Sequence, residues 1–121
     1  MSFINESKHL LRDLFRYPKL YPQDASYDTY WERRDLNAPF NAFQKKRAEL
    51  IMKTIPRGCT MLDLGCGDGR FLEYFLRNKA ISKAIGVDSS SVALNFARDR
   101  GVEIIQGDLN DRGTIPSADV V

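Results

Sequence analysis

Leu62-Asp63-Leu64-Gly65-Cys66-Gly67-Asp68-Gly69 is a short apolar run that ends in an acidic, glycine-rich turn. Thr60-Met61-Leu62-Asp63-Leu64 reads as a strand leading into the turn. After it, Phe71, Leu72, Phe75 and Leu76 recur at helical spacing and predict a helix with one buried stripe. The same alternation continues downstream. Ala84-Ile85-Gly86-Val87-Asp88 is a second strand, and Ser89, Ser90 or Ser91 caps a second helix. That helix buries Val92, Ala93, Phe96 and Ala97, and Gly101 ends it in a left-handed cap. Val102-Glu103-Ile104-Ile105-Gln106 is a third strand with Gly107-Asp108 at its tip. Pro116 sits in a loop, and Asp119-Val120-Val121 opens a fourth strand. Strands and helices in alternation define an α/β fold with a parallel sheet.

Upstream the pattern is helical. Leu10, Leu11, Leu14 and Phe15 share a face that Tyr17-Pro18 ends, and Leu20-Tyr21-Pro22 is a loop. Tyr27, Tyr30, Trp31 and Arg34 share another face. Asn37-Ala38-Pro39 is a break from which a helix is expected to start, because proline fits a first turn. Phe40, Phe43, Arg47, Leu50 and Ile51 carry that helix to about Thr54, and Pro56-Arg57-Gly58 ends it. We expect residues 1–38 to form a helical, lid-like segment and residues 39–121 the ligand-binding domain.

Composition removes several classes. The 121 residues suffice for one small domain, and 43% hydrophobic residues can build a core. A net charge of +2 gives no strong nucleic-acid signal. No apolar run is long enough to span a membrane, and residues 1–9 lack a signal-peptide core. Cys59 and Cys66 lack metal-ligand spacing, so no metal site is expected. Both read as free thiols of a reducing, cytoplasmic compartment. His9 reads as a surface residue, and Lys45, Lys46, Arg47 and Lys53 as a solvated helix face or an anion site.

In open parallel sheets ligands bind beyond the carboxyl ends of the strands. Here those ends are Asp63 to Gly69 in the first turn, then Asp88, then Asp108. Asp88 lies about 20 residues past the glycine turn, where an acidic residue meets ribose hydroxyls. A dinucleotide fingerprint, G-x-G-x-x-G/A, is the rival. Gly65, Gly67 and Gly69 put the third glycine one place early, and Arg70 stands where the small residue belongs. Asp63 and Asp68 would also repel a pyrophosphate from the helix start that it needs. They suit a ligand with positive groups.

The run from Leu62 to Gly69 resembles motif I of the class I S-adenosylmethionine (AdoMet)-dependent methyltransferases. Gly86-Val87-Asp88 resembles their acidic second-strand tip, and Gln106-Gly107-Asp108-Leu109 their adenine-holding segment. Among subgroups, of the methyltransferase type 11/12 kind, the MetW-like group is most similar; residues 1–57 depart from it. The resemblance implies a Rossmann-like doubly wound parallel sheet. It implies that Asp63, Gly65, Cys66, Gly67 and Gly69 meet the methionine part of AdoMet, with Cys66 a small residue between glycines and no nucleophile. It further implies that Asp88 holds the ribose, that Ser89 lies near the adenine, and that Asp108 and Leu109 hold it. For Asp108 a plain turn role is the alternative. Tyr30, Trp31 and Arg34 stand where related enzymes place a lid helix.

The implied reaction is methyl transfer to an acceptor, a small molecule being favoured. In this family acceptor contacts and any base follow strand 4, so no catalytic residue is named. The chain is expected to carry the N-terminal half of the domain and to be inactive alone. Strand 1 would then expose an unpaired edge, through which we expect self-association. A non-catalytic AdoMet- or partner-binding module is the second reading, and a dinucleotide-dependent oxidoreductase the third. Asp88→Ala is expected to weaken AdoMet binding and leave the fold largely intact.

Overall fold

The computed structural model describes residues 27–111, 113 and 115–121. The helix expected around Leu10 to Phe15 and the loop at Tyr21-Pro22 lie outside them. In chain order the elements are α1 (Tyr27–Glu32), α2 (Ala42–Thr54), β1 (Cys59–Leu64), α3 (Arg70–Arg77), β2 (Ile81–Asp88), α4 (Ser91–Asp99) and β3 (Glu103–Gln106). The strands form one parallel sheet in the order β1-β2-β3. Parallel neighbours need crossovers, which α3 and α4 supply. Leu64 pairs with Val87 and Asp88 with Gln106, so the three carboxyl ends lie in line.

The period of two along β1 sorts its side chains between two layers. Cys59 and Met61 join Ala48, Leu72, Phe75 and Ala97 from α2, α3 and α4. Leu62 joins Ile85 and Val87 on the opposite face, where Ile105, Ile115 and Ala118 pack. Helices α2, α3 and α4 thus form one layer of the α/β arrangement.

Three local expectations change. Helix α2 starts at Ala42, not at Pro39, because Asn41 and Gln44 form a reciprocal capping box. Gln44 N donates to Asn41 Oδ1 (2.8 Å) and Asn41 N to Gln44 Oε1 (3.0 Å), satisfying donors that a proline start leaves open. The buried side of α4 is Ala93, Leu94 and Ala97, while Phe96 is 36% exposed. The reason is steric: Gly69 approaches Ala97 so closely that only a small residue fits there. Strand β2 also begins earlier, at Ile81, through a register shift between Cys59 and Thr60.

The outer edge of β1 is not wholly open. Leu62 N donates to Val120 O (2.8 Å), and Val120 N to Thr60 O (3.2 Å). Thr60 N donates to the Asp119 carboxylate (2.8 Å), so a side chain caps one edge donor. Pairing with Val120 and the charged cap both blunt the edge where self-association was expected.

Candidate ligand site at the carboxyl ends of the strands

Gly65 N and Cys66 N both donate to Val87 O, at 2.7 and 3.0 Å, and the chain then leaves the sheet. Gly67 (φ +56°) and Gly69 (φ +73°) lie in the left-handed region that side chains disfavour, which is why glycines stand there. The turn is fastened to β2 by one carboxylate. Asp88 Oδ2 accepts from Gly67 N (2.9 Å) and Oδ1 from Ser90 N (3.0 Å), and Asp88 is buried. Ser90 in turn caps α4, accepting from Ala93 N (3.2 Å), and donates to Asp28 of α1 (2.5 Å). Asp88 is therefore a structural tie as well as a candidate ligand group. The expectation that Asp88→Ala leaves the fold largely intact does not survive this geometry.

Two clefts open at these strand ends. The smaller, about 310 Å³, is lined by Gly65, Asp88, Ser89, Gly107, Asp108, Leu109 and Asn110. The larger, about 640 Å³, runs from Asp63, Gly65, Cys66 and Gly67 to Trp31 and to Gln44, Arg47 and Ile51 of α2. Gly65 borders both. Gly69 borders neither: a Cβ there would lie 2.8 Å from Ala97 Cβ and 3.2 Å from Val102 Cγ2, so its work is packing. The Cys66 side chain packs on the core, its Sγ 2.5 Å from where a Cβ on Gly86 would be. Asp108 Oδ1 accepts from both the N–H (2.9 Å) and the side-chain amide (2.8 Å) of Asn110, the turn role weighed above; its Oδ2 takes no bond among the described residues.

The electrostatics separate the acidic residues. Burial raises the Asp63 carboxyl above its usual 3.8; nearby Arg47 pulls it back down and Asp88 raises it. An ionised Asp63 is thus a half-buried anion with unmet demand for positive charge. The Cys66 thiol is pushed up to about 12, by burial first and then by the charges of Asp63 and Asp88. Its thiolate fraction at a given pH is about a thousandfold below that of an ordinary thiol at 9.0. Iodoacetamide should accordingly leave Cys66 unmodified at mildly alkaline pH until the chain unfolds; rapid labelling of the folded protein would contradict this.

Asp68 behaves otherwise than its position suggested. It is buried and paired with Arg70 Nε at 2.9 Å and Arg100 at 3.6 Å, and Arg100 also meets Glu73 at 2.5 Å. Its charge is compensated, so it does not repel a pyrophosphate as expected. The case against a dinucleotide rests instead on occupied donors. Gly67 N is held by Asp88, Gly69 N by Cys66 O (3.1 Å) and Arg70 N by Asp68 Oδ1 (3.3 Å). A pyrophosphate needs such N–H groups bare.

One contact involves a residue already expected in the lid position, and one feature was not read from the sequence. Trp31 lies on the turn, its ring edge 2.5 Å from where a Cβ on Gly67 would sit. The segment between α1 and α2 is pinned through its carbonyls: Arg70 donates to Ala38 O (3.4 Å) and Arg100 to Leu36 O. Nothing in local periodicity signals the pinned carbonyls. Gly86, inside an apolar strand, did carry a signal, since an isolated strand glycine marks close approach of another chain segment.

A parallel Rossmann-like sheet whose glycine turn and acidic strand tips line two adjoining clefts makes this an α/β domain with a candidate ligand site at its strand ends. The family model described as methionine biosynthesis protein MetW matches residues 45–117, more than half of the chain, and the chain belongs to that family. Trans-aconitate 2-methyltransferase of Mycobacterium tuberculosis is 34% identical over 74 residues, 60% of this chain and 28% of the relative. Release factor glutamine methyltransferase of Caulobacter vibrioides is 35% identical over 71 residues, 57% of this chain and 24% of the relative. The chain spans about a quarter of the length of these relatives. Among solved structures it is similar to a TehB-like SAM-dependent methyltransferase from Corynebacterium glutamicum, with 32% identity and a TM-score of 0.47, covering 53% of this chain and 35% of that one.

Proposed function

We propose that this chain is the AdoMet-binding part of a methyltransferase. The observation that carries the reading is the convergence of Asp63, Asp88 and the turn backbone where the two clefts meet. Asp63 suits the ammonium of the methionine head, because a half-buried carboxylate gains most from a cationic partner. Asp88 suits the ribose: each of its oxygens keeps a lone pair after accepting one backbone bond. Leu109, Ser89 and the free Oδ2 of Asp108 suit the adenine in the smaller cleft. Homology to two proteins named as methyltransferases supports the same reading.

Bound there, AdoMet supplies a methyl group on a sulfonium, which is already a good leaving group. The chain's part is to hold the donor in line with an acceptor and to exclude water. Trp31, lying on Gly67, supports a lid role for the described part of residues 1–38. The acceptor we favour is a small molecule, in keeping with a relative named for trans-aconitate. No described helix is long and apolar enough to cross a membrane, and two free cysteines support a cytoplasmic setting. Calorimetry with AdoMet, S-adenosylhomocysteine (SAH) and NAD tests the reading. We expect binding of the first two; NAD binding without AdoMet binding overturns it.

Asp63 also sets a pH dependence. Because its folded value is raised, its contribution to stability is present below the unfolded value and lost as pH rises through the folded one. Asp63→Asn should therefore stabilise the free chain at neutral pH while weakening AdoMet binding. AdoMet affinity of the unaltered chain should fall on acidification through the raised pKa, since only the carboxylate attracts the ammonium. An Asp63→Asn variant that binds AdoMet normally with an unchanged pH profile would remove Asp63 from the site.

A further inference from the structure

Helix α1 meets the rest of the chain at two residues that Asp88 already joins. Asp28 and Trp31 stand three positions apart, a spacing that puts both on one face of a helix. Asp28 accepts from the hydroxyl of the buried Ser90 (2.5 Å). The edge of the Trp31 ring lies on Gly67. Gly67 and Ser90 are also the residues whose N–H groups Asp88 holds, at 2.9 and 3.0 Å. The contacts therefore close a circuit that runs from α1 through Gly67, Asp88 and Ser90 back to α1.

Ser90 divides its bonds among three neighbours. It gives its N–H to Asp88 and its one hydroxyl proton to Asp28, and its oxygen accepts from Ala93 N to cap α4. Asp28 also brings a negative charge to the start of α4, whose first turn has no acidic residue of its own. The linker behind α1 is held separately, by Arg70 on Ala38 O and Arg100 on Leu36 O. Loss of the Asp28 contact thus frees α1 without releasing α2.

We propose that Asp28 is a positioning residue for the ligand site: it docks α1 through Ser90, and that docking is coupled to ligand binding at Asp88. The proposal rests on the AdoMet reading. A ligand bonded to Asp88 steadies Gly67 and Ser90, which are the surface on which α1 docks. By linkage, docked α1 raises ligand affinity by the same factor as the ligand favours docking. Trp31 borders the larger cleft, so docking also narrows the way out. An ordinary packing contact of α1, without effect on the ligand, is the plain alternative.

Trp31 is the only tryptophan in the chain, so acrylamide quenching of its fluorescence reports docking directly. The test compares Asp28→Ala and Asp28→Asn with the unaltered chain, free and saturated with SAH. Circular dichroism in urea follows the fold. An amide keeps an acceptor oxygen for the Ser90 hydroxyl, so Asp28→Asn is the conservative rescue. In free Asp28→Ala we expect stronger quenching of Trp31. SAH affinity should fall about fivefold or more, through faster dissociation. Saturating SAH should restore part of the protection of Trp31, and Asp28→Asn most of both effects. SAH affinity and dissociation equal to those of the unaltered chain overturn the proposal, whatever happens to Trp31. So does an affinity loss that merely follows the unfolded fraction, since Asp28 would then serve stability alone. If the unaltered chain binds no SAH, the AdoMet reading fails and takes the coupling with it. Quenching of Trp31 then judges the docking by itself, and equal quenching in all three chains overturns that as well.

Discussion

Gly69→Ala is expected to lower stability by roughly 2–5 kcal/mol, summing the cost of a left-handed conformation and that of overpacking. Two separate penalties meet at this residue. Its φ of +73° disfavours any side chain, and a Cβ there would stand 2.8 Å from Ala97 Cβ and 3.0 Å from Ala97 Cα. The second atom is backbone, so relief requires α4 to move and not merely a rotamer to change. Gly101→Ala is the control, since Gly101 has φ +87° but nothing within 4 Å of its Cβ position. It should cost only the conformational part, about 1–2 kcal/mol. Urea unfolding of both variants measures the difference. Equal losses would show that α4 yields freely, and that the approach of Gly69 to Ala97 does not constrain the fold.

Asp88→Ala should injure both stability and binding. It strands the N–H groups of Gly67 and Ser90, and each buried donor left unpaired costs roughly 1–3 kcal/mol. It also removes the carboxylate proposed for the ribose, so SAH affinity should drop about tenfold or more among molecules that remain folded. Asp88→Asn separates the effects. An amide keeps one acceptor oxygen but turns an NH2 toward a donor, so part of the stability returns. Near-native stability in Asp88→Ala would mean that water replaces the carboxylate in both bonds. Undiminished SAH binding by its folded fraction would take Asp88 out of the ligand site.

Much of this was legible in one dimension, because the relevant signals are local. The strands at Leu62 and Ile85 show as apolar runs, and the crossover helices show as repeats of three and four. The turn shows as Gly65, Gly67 and Gly69, and the alternation of these units requires a parallel sheet. That requirement alone brings Asp63, Asp88 and Asp108 to one end of it. The phase of α4 was not legible. Phe96 and Leu94 are equally apolar, and only the closeness of Gly69 to Ala97 decides which one turns inward. The start of α2 was misread for a related reason. Proline and Asn41 both suit a helix start, and the reciprocal bonds with Gln44 choose between them.

The sequence by itself determined the order of elements, the sheet type, the acidic character of the strand ends and the family resemblance. Each depends on spacing along the chain. Tertiary structure decided which charges are available to a ligand. Asp68 is adjacent to the turn in sequence, yet Arg100, 32 positions away, compensates it together with Arg70. Asp88 is bonded on both oxygens by N–H groups from two different segments. Ionic interactions act through space and are set by which partners folding supplies, so an acidic or basic letter in the sequence states a charge but not its availability.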